Sequence, residues 1–346
     1  MSEKTSEEMR LGVRAGDDTH PSERETRAAG RDREAAEAAG GNPDGVDMAK
    51  SQWPESAAAT GFVEKIRATL EMIKFQHTIF ALPFALLGAV VAAGGWPEAG
   101  QLFWILSACV CARSAAMSFN RLHDEEFDRQ NPRTEGWALP AGLLTRKFVW
   151  LFLVTMIALF VASAAMLNKL ALVLSPIALA VLLGYSLTKR FTSGAHFVLG
   201  LALGIAPVGA WVAVRGELNW TPVVLGVGVM LWTSGFDMIY SLQDIDIDRK
   251  LGLHSMPSRL GRSRALAISA LCHSLSIAAF GAMLLLTDLS TYYFIALVAC
   301  AWLLVYEQSL VKPNDISKLP MAFFTLNGWV SVLIFAGGLV DILKAR

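Results

Sequence analysis

The sequence predicts an all-α polytopic membrane protein with about nine transmembrane helices. Of its 346 residues, 54% are hydrophobic and only 17% are charged, whereas a soluble protein usually carries about a quarter charged residues. From about residue 70 onward the apolar residues form a series of long runs. Each run approaches the ~20 residues that a helix needs to cross the hydrocarbon core of a bilayer. The lipid bilayer is therefore the expected surrounding of most of the chain.

The first 60 residues differ from the rest of the chain. They are rich in Ala, Gly, Glu and Arg, carry 8 basic and 13 acidic side chains, and show no apolar periodicity. They lack the apolar core of a secretory signal, and such a composition is typical of disorder. We expect residues 1–60 to form a disordered polar cytoplasmic tail, or to result from a mis-assigned start, and residues 70–346 to form the transmembrane domain.

Nine apolar segments are long enough to be candidate membrane spans. The first contains Pro83, which a membrane helix tolerates where neighbouring groups satisfy the freed carbonyl. The third and fourth are separated by little more than Asn168 and Lys169, so we expect a tight hairpin there. The candidate segments are 75–95, 101–119, 148–167, 169–188, 195–214, 221–240, 265–286, 291–309 and 319–341.

The distribution of basic residues predicts the orientation in the membrane. With nine spans, the even-numbered spans all end on the same side as the N-terminus, and the loops on that side hold fourteen Lys or Arg against four on the other. Basic loops favour the cytoplasm, so we expect a multi-pass protein of the inner (plasma) membrane whose N-terminus and basic loops are cytoplasmic. The fourteen are Arg121, Arg129, Arg133, Arg146, Lys147, Lys189, Arg190, Arg249, Lys250, Arg259, Arg262, Arg264, Lys312 and Lys318.

Two acidic clusters follow apolar spans on this predicted cytoplasmic side. The first is "FNRLHDEEFDRQNPRT" (119–134) and the second is "DMIYSLQDIDIDRK" (237–250). Both contain the pattern Asp-x3-Asp-Arg, at an offset of 120 residues. Each follows an even-numbered span, with four spans between them. The sequence therefore predicts two related four-helix halves plus a ninth helix, arranged around a central cavity open to the cytoplasm.

The spacing of the aspartates favours metal binding. If the helices extend this far, Asp124 and Asp128 lie on one helical face about 6 Å apart, as do Asp244 and Asp248. Carboxylates placed so close together near hydrocarbon need a cation. Mg²⁺ prefers a few carboxylate oxygens and completes its shell with water and substrate phosphate. For a single cluster the alternative is a solvated helix end with screened ion pairs, but the repetition on one side favours a metal site.

A metal-bound diphosphate beside a membrane cavity indicates a lipid diphosphate substrate. Ionisation of an allylic diphosphate requires a Lewis acid on the leaving group. It also requires basic donors for the departing pyrophosphate and a cavity that keeps water away from the carbocation.

Three segments of the chain resemble the motifs of the UbiA superfamily of intramembrane prenyltransferases. "NRLHDEEFDRQNPRT" with the later "LPAG" is similar to the first aspartate motif of that family, and "DMIYSLQDIDIDRKLGLHSMPSRLG" is similar to the second. "GYSLTKRFT" matches the family's loop between spans four and five. The resemblance extends over residues 70–341, and the three motifs occur in the same order as in the family. It implies Mg²⁺-dependent transfer of a polyprenyl chain from its diphosphate to an aromatic acceptor.

The resemblance also implies roles for the matched residues. Asn120, Asp124 and Asp128 would bind the first Mg²⁺ and the diphosphate. Asp244 and Asp248 would bind the second Mg²⁺.

Five further residues are implied to contact the prenyl diphosphate. Tyr185, Lys189 and Arg133 would contact the diphosphate itself. Asp237 and Tyr240 would lie deeper in the membrane and face the reacting carbon, where a Tyr ring can stabilise an allylic cation through its π face. Without the motif, Tyr240 would be interpreted as an interfacial aromatic residue.

The chain departs from many relatives at two positions and shares features with one branch. It has Arg121 where many relatives have Asp, and Trp137 where many have Arg. "NPRT", "LPAG" and "KFQHTIFALPFALLGA" resemble the 4-hydroxybenzoate polyprenyltransferases and the menaquinone-pathway relatives that take a dihydroxynaphthoate. Both acceptors are aromatic carboxylates, for which Lys74 and His77 are candidate partners. Lys74 could equally be a residue that extends its ammonium group to the membrane interface.

Two other classes of protein, a secondary transporter and a membrane alcohol phosphotransferase, fit the sequence less well. A secondary transporter would place acidic residues for coupling ions near the bilayer midplane, whereas these lie at helix ends beside basic loops. A membrane alcohol phosphotransferase also uses paired aspartates, but in one continuous signature. The expected partners are polyprenyl diphosphate, an aromatic acid such as 4-hydroxybenzoate or 1,4-dihydroxy-6-naphthoate, and the bilayer. No nucleic acid or obligate protein partner is expected.

Overall fold

The computed structural model describes residues 61–74 and 78–345, and the regular secondary structure of these residues is helical. Eight of the described helices are long and apolar enough to cross a membrane. They are preceded by α1 (Phe62–Met72) and by a shorter apolar helix, α2 (Thr78–Ala93). The remaining helices are α3 (Ala99–Arg129), α4 (Arg146–Leu167), α5 (Lys169–Thr188), α6 (Ala195–Arg215), α7 (Trp220–Tyr240), α8 (Ile245–Lys250), α9 (Met256–Leu260), α10 (Arg262–Leu286), α11 (Thr291–Leu310) and α12 (Asn327–Lys344).

The predicted class of an all-α polytopic membrane protein is confirmed. Each of the nine predicted segments coincides with a helix, but α2 has only 16 described residues and follows residues 75–77, which lie outside the described part. The count of nine spans, the division into two halves and the direction in which a cavity opens stay predictions. The tail predicted over 1–60 also lies outside the described residues.

Helix α1 is a short amphipathic helix that the sequence analysis did not predict, because it contains no long apolar run. Its apolar side chains Phe62, Val63, Ile66 and Leu70 are exposed along one side. The opposite side is buried through Ala68 and Met72 in a cluster with residues of α3 and the following loop. Apolar residues spaced by three to four positions are the signal for such a helix, and this pattern is typical of helices that lie in a membrane interface.

Glycines let α6 and α7 pack with their backbones nearly in contact. A Cβ atom on Gly204 would lie 2.5 Å from the carbonyl oxygen of Gly226, and one on Gly226 would lie 2.7 Å from that of Gly204. Small residues at a crossing allow this close approach in membrane helices. Because the two helices run antiparallel, the start of α6 lies beside the end of α7. This contact brings the loop before α6 to the second aspartate cluster.

The two acidic clusters end their spans differently. Helix α3 continues without a break to Arg129, so Asp124 and Asp128 share one helix as expected. Helix α7 instead stops at Tyr240, and a 3₁₀ turn over Ser241–Asp244 precedes α8. The Ser241 hydroxyl donates to the carbonyl of Met238, 3.0 Å away. Side-chain bonds to helix carbonyls compete with the regular backbone ladder. The second pair of aspartates is divided between the 3₁₀ turn and α8, so only the first pair lies on a helix that extends as far as the sequence argument required.

The last span begins with an irregular turn that packs against Tyr240. Residues Met321–Leu326 form a π-helical turn before α12. The Asn327 amide donates to the carbonyls of Ala322 and Phe323, at 3.0 and 3.2 Å. π-Helical turns often occur at functional sites, and here the turn places the Phe323 ring 4.2 Å from the Tyr240 ring, measured between centroids.

Candidate active site

The aspartates of the first cluster are held by neighbouring polar side chains. Asp124 accepts a hydrogen bond from the Asn120 amide at 2.6 Å and pairs with Arg190, from the loop after α5, at 3.1 Å. Asp128 pairs with Arg121, one of the two departures from the family pattern, at 2.8 Å. Arg190 also donates to the carbonyl of His123 at 2.6 Å. The loop after α5 is thereby fixed against the first cluster.

Another acid of the first cluster has a different partner set. Glu125 pairs with Arg129 at 2.8 Å and with Arg146, the first residue of α4, at 2.6 Å. Glu125 therefore ties α3 to the start of α4 and takes no part in the network around Asp124 and Asp128.

Arg133 connects the first cluster to the second. It lies in the loop after α3, and its guanidinium donates to both carboxylate oxygens of Asp244, at 3.2 and 3.0 Å. A third bond, of 3.1 Å, goes to the Tyr240 hydroxyl. Two-point pairing of an Arg with a carboxylate fixes the geometry as well as the charge. The two clusters, 120 residues apart in the sequence, therefore meet at one end of the helix bundle.

Asp248 is the most deeply buried of the four aspartates. It pairs with Lys189 at 2.7 Å and accepts a bond from the Ser255 hydroxyl, also at 2.7 Å. The backbone N–H of His254 in turn donates to the carbonyl of Lys189 at 2.7 Å. The loop after α5 thus contacts both clusters, through Arg190 and Lys189.

Each of the four aspartates is paired with a different cation, and this pairing bears on metal binding. Carboxylates are the ligands that Mg²⁺ prefers, and Arg and Lys are the usual donors to phosphate. Within the described ranges no three acidic, His or Cys side chains converge closely enough to hold a metal ion. Mg²⁺ would therefore have to replace the Arg and Lys partners of the aspartates. The residue types fit a magnesium–diphosphate group, and the assignment of the four aspartates as ligands stays a prediction.

Asp237 and Tyr240 lie next to this network, as the second motif implies. The Asp237 carboxylate is bonded to the Nδ1 atom of His196 at 2.6 Å. The Tyr240 ring packs between Phe323 and the guanidinium of Arg133, whose central carbon lies 5.5 Å from the ring centroid. Their contact with a substrate stays a prediction.

Three positively charged side chains lie around the Trp137 ring. The distances to the ring centroid are 3.9 Å from the guanidinium carbon of Arg121, 4.9 Å from the Lys74 ammonium and 5.6 Å from the guanidinium carbon of Arg133. Cations within about 6 Å of a Trp ring are attracted to its face. A cavity of about 10 Å³ beside the ring is lined by Met72, Lys74, Arg121 and Trp137, among others.

Lys74 is unusual in its backbone and in its electrostatics. Its φ of 50° is the only positive value among the described non-glycine residues, and this left-handed conformation costs about 1–2 kcal/mol. Burial, followed by the charge of Arg121, lowers the pKa of the Lys74 ammonium below its ordinary value. The charges of Glu71 and Asp128 act in the opposite direction.

The remaining predicted residues are placed as follows. Tyr185 is half-buried, and its hydroxyl lies 3.9 Å from the sulfur of Met117. His77 lies outside the described residues. The sequence analysis missed the contacts of Arg190 and His196, although Arg190 follows Lys189 directly, and adjacency to a motif residue was a usable signal.

The chain matches the UbiA prenyltransferase family over residues 81–329. A curated relative, the 4-hydroxybenzoate octaprenyltransferase of Tolumonas auensis, is 31% identical over 247 residues, which cover 71% of this chain and 86% of the relative. The protein of the same name from Photobacterium profundum is 29% identical over 286 residues, with 81% of this chain and 98% of the relative covered.

Solved structures are similar as well. The apo structure of a UbiA homolog from Aeropyrum pernix K1 has a TM-score of 0.70 and 34% sequence identity, and the alignment covers 77% of this chain and 98% of that one. A UbiA homolog from Archaeoglobus fulgidus bound to DMAPP and Mg²⁺ has a TM-score of 0.65 at 18% identity, with 80% and 99% covered. At that identity the second likeness concerns the fold alone.

Proposed function

The chain belongs to the UbiA prenyltransferase family, and we propose that it transfers a polyprenyl group from a polyprenyl diphosphate to an aromatic carboxylate acceptor of the 4-hydroxybenzoate type. Membership confirms the predicted prenyltransferase and decides against the transporter and the alcohol phosphotransferase. The acceptor is supported by the names of the relatives, which act on 4-hydroxybenzoate. The reaction would serve respiratory quinone biosynthesis at the cytoplasmic face of the inner membrane, with the N-terminus and the site loops cytoplasmic.

The observation that carries the proposal is the position of Arg133. From the loop of the first motif it contacts both Asp244 and Tyr240 of the second. A donor of this kind lies between the proposed diphosphate position and the proposed position of the reacting carbon. It is suited to bind a leaving diphosphate, since an Arg matches phosphate oxygens in a two-point geometry.

Mg²⁺ is the proposed cofactor. Asp124, Asp128, Asp244 and Asp248 would hold it, and bound Mg²⁺ would supply a Lewis acid for the diphosphate leaving group. The proposal is supported by the carboxylate donor set and by the Archaeoglobus fulgidus structure, in which a protein of the same fold is bound to DMAPP and Mg²⁺.

The basic residues would change partners when the substrate binds. In the pairs described above, Arg190, Arg121, Arg133 and Lys189 each neutralise one aspartate. A diphosphate would accept hydrogen bonds from these donors while the aspartates turn to the metal. Asn120 and Tyr185 are proposed to contact the same group. These donors already lie beside the aspartates, and the four ion pairs would have to break before the diphosphate and the metal are bound.

Asp237 and Tyr240 are proposed to act at the allylic carbon. As the bond from carbon to the diphosphate oxygen breaks, positive charge develops on the prenyl chain. The face of the Tyr240 ring and the negative charge of Asp237 would stabilise it. The electron-rich ring carbon of the acceptor then forms the new carbon–carbon bond, and the ring loses a proton to the diphosphate or to an aspartate.

The acceptor carboxylate is proposed to bind at Lys74 and His77. Support comes from the Lys74 ammonium, which lies beside the Trp137 ring, and from the strained backbone of Lys74. Strained residues of this kind cluster at functional sites. An aromatic acid could place its carboxylate at Lys74 and its ring toward Tyr240.

An acceptor panel tests the proposal. Purified protein in detergent is incubated with Mg²⁺, one polyprenyl diphosphate and either 4-hydroxybenzoate or 1,4-dihydroxy-6-naphthoate, and prenylated product and pyrophosphate are measured. We expect prenylated 4-hydroxybenzoate and its loss when EDTA removes the metal, with recovery on added Mg²⁺. Exclusive use of the naphthoate would reassign the acceptor. No product from either acid would contradict the proposal.

A further inference from the structure

His196 has no role in the sequence motifs, yet it contacts the proposed catalytic Asp237. Its Nδ1 atom lies 2.6 Å from the carboxylate oxygen Oδ2. The His196 side chain is 3% exposed, whereas that of Asp237 is 21% exposed. Asp237 is therefore accessible on one side and held by His196 on the other.

The hydrogen bonds of His196 determine which ring nitrogen carries the proton. The backbone N–H of Met256 points at Nε2, at 3.2 Å. A backbone N–H can only donate, so Nε2 is the unprotonated nitrogen that accepts. In the neutral ring the proton is then on Nδ1, and Nδ1–H donates to Asp237. His196 is also the second residue of α6, so its backbone position is fixed by the start of that helix.

The backbone around the pair fixes its geometry. One turn after His196, a Cβ atom on Gly200 would lie 2.3 Å from the carbonyl oxygen of Met230 and 2.6 Å from the hydroxyl of Ser234. That hydroxyl donates to the His196 carbonyl at 3.2 Å and to the Met230 carbonyl at 2.7 Å. Helices α6 and α7 are thus locked together within one turn of both side chains.

We propose that His196 is a positioning residue that holds the Asp237 carboxylate in one orientation toward the allylic carbon. The inference rests on the proposed role of Asp237. Without the Nδ1–H donor the carboxylate could rotate away from that orientation. A carboxylate held by a neutral donor keeps its full negative charge for the transition state, whereas one paired with a cation would be neutralised.

Two substitutions separate this role from a structural one. His196→Leu removes both hydrogen bonds, while His196→Asn places an amide N–H near the Nδ1 position and loses only the contact with Met256. We expect about a 10- to 100-fold loss of kcat for His196→Leu, the size associated with a hydrogen bond to a charged group, and kcat within about threefold of wild type for His196→Asn. The KM values for both substrates should stay unchanged, since His196 would contact neither.

The control is His273→Leu, which removes another buried His whose bond goes to Gln308. It should lower the thermal stability without lowering kcat. Should His196→Leu fail to fold, His196→Met, which fills the same space flexibly, takes its place. If His196→Asn is as slow as His196→Leu, the residue acts through Met256 and the inference is overturned.

A double-variant cycle gives a readout that a purely structural role would not produce. If His196 acts through Asp237, the variant carrying both His196→Leu and Asp237→Asn should be no slower than Asp237→Asn alone. A further loss in the double variant would overturn the inference. The cycle is run with whichever acceptor the wild type uses, so failure on 4-hydroxybenzoate contradicts the proposed function and leaves this test intact.

Discussion

The two aspartate clusters share a spacing but not a setting. Asp124 and Asp128 lie on the uninterrupted helix α3, and their side chains are 26% and 13% exposed. Asp244 ends a 3₁₀ turn, Asp248 lies on the short helix α8 that follows, and their side chains are 11% and 2% exposed. Only the second cluster is preceded by the inner residues Asp237 and Tyr240. The same residue pattern is therefore partly exposed in the first cluster and more deeply buried in the second.

Burial explains what the difference means for function. A carboxylate in contact with water loses little when its cation leaves, whereas a buried one depends on that cation or on a metal. The second cluster should therefore be less tolerant of substitution than the first. Substitutions in the second cluster should also lower kcat, because Arg133, the partner of Asp244, contacts Tyr240 as well.

The largest expected effect comes from removing the charge of one aspartate in each cluster. Asp244→Asn should lower kcat about 1,000-fold and Asp124→Asn about 100-fold, within the range for losing one electrostatic contact in a preorganised site. Product formation under saturating substrate measures both, and an unchanged thermal transition in detergent shows that the fold is retained. Equal losses of kcat would show that the two clusters do not differ in function. Near-normal activity of either variant would exclude the substituted aspartate from the proposed site.

Exchanging Arg133 for Lys tests the connection between the clusters. Lys keeps the charge but cannot bond both oxygens of Asp244 and the Tyr240 hydroxyl at once. We expect Arg133→Lys to lower kcat about 10-fold, the scale of one to two lost hydrogen bonds. The matched control is Arg129→Lys, which alters the pair of the exposed Arg129 with Glu125 outside the site and should change kcat less than about twofold. Equal effects of the two variants would show that the bridge has no special role.

The first aspartate cluster was easier to predict from the sequence than the second. The spans were predictable because apolar runs of membrane length leave few alternatives, and the first cluster was predictable because its helix simply continues past Phe119 to Arg129. The break in the helix after Tyr240 was not predictable, since it involves side chains such as Ser241 that bond to the backbone. Helix α1 was missed because its four exposed apolar residues alternate with charges.

Contacts between distant segments were the least predictable part of the site. The motifs indicated which residues carry charge. The pairing of His196 with Asp237, however, depends on how α6 crosses α7, and that of Arg190 with Asp124 depends on where the loop after α5 meets α3. The departures at 121 and 137 looked unrelated in the sequence. In the structure Arg121 stacks on Trp137 and pairs with Asp128, so the two positions form one unit.

Substitutions of Tyr240 sharpen the role of the inner residues. If the ring face stabilises positive charge, Tyr240→Phe should retain kcat within about threefold, because only the bond from Arg133 is lost. Tyr240→Leu removes the ring and should lower kcat about 10-fold or more. Steady-state rates with the same donor and acceptor compare the two variants. Should Phe be as slow as Leu, the hydroxyl and its bond to Arg133 matter more than the ring.

The smallest expected effect concerns Trp137, at the outer edge of the site. Trp137→Leu removes the ring that holds Arg121 and Lys74 together, and each cation–π contact contributes about 0.5–2 kcal/mol. Since Asp128 still holds Arg121, the site should keep its charge, and Lys74 should lose its fixed position. We expect the KM for the acceptor to rise about 3- to 10-fold, with kcat and the KM for the prenyl diphosphate unchanged. A rise in the KM for the diphosphate instead would place Trp137 with the first cluster's diphosphate contacts rather than with the acceptor.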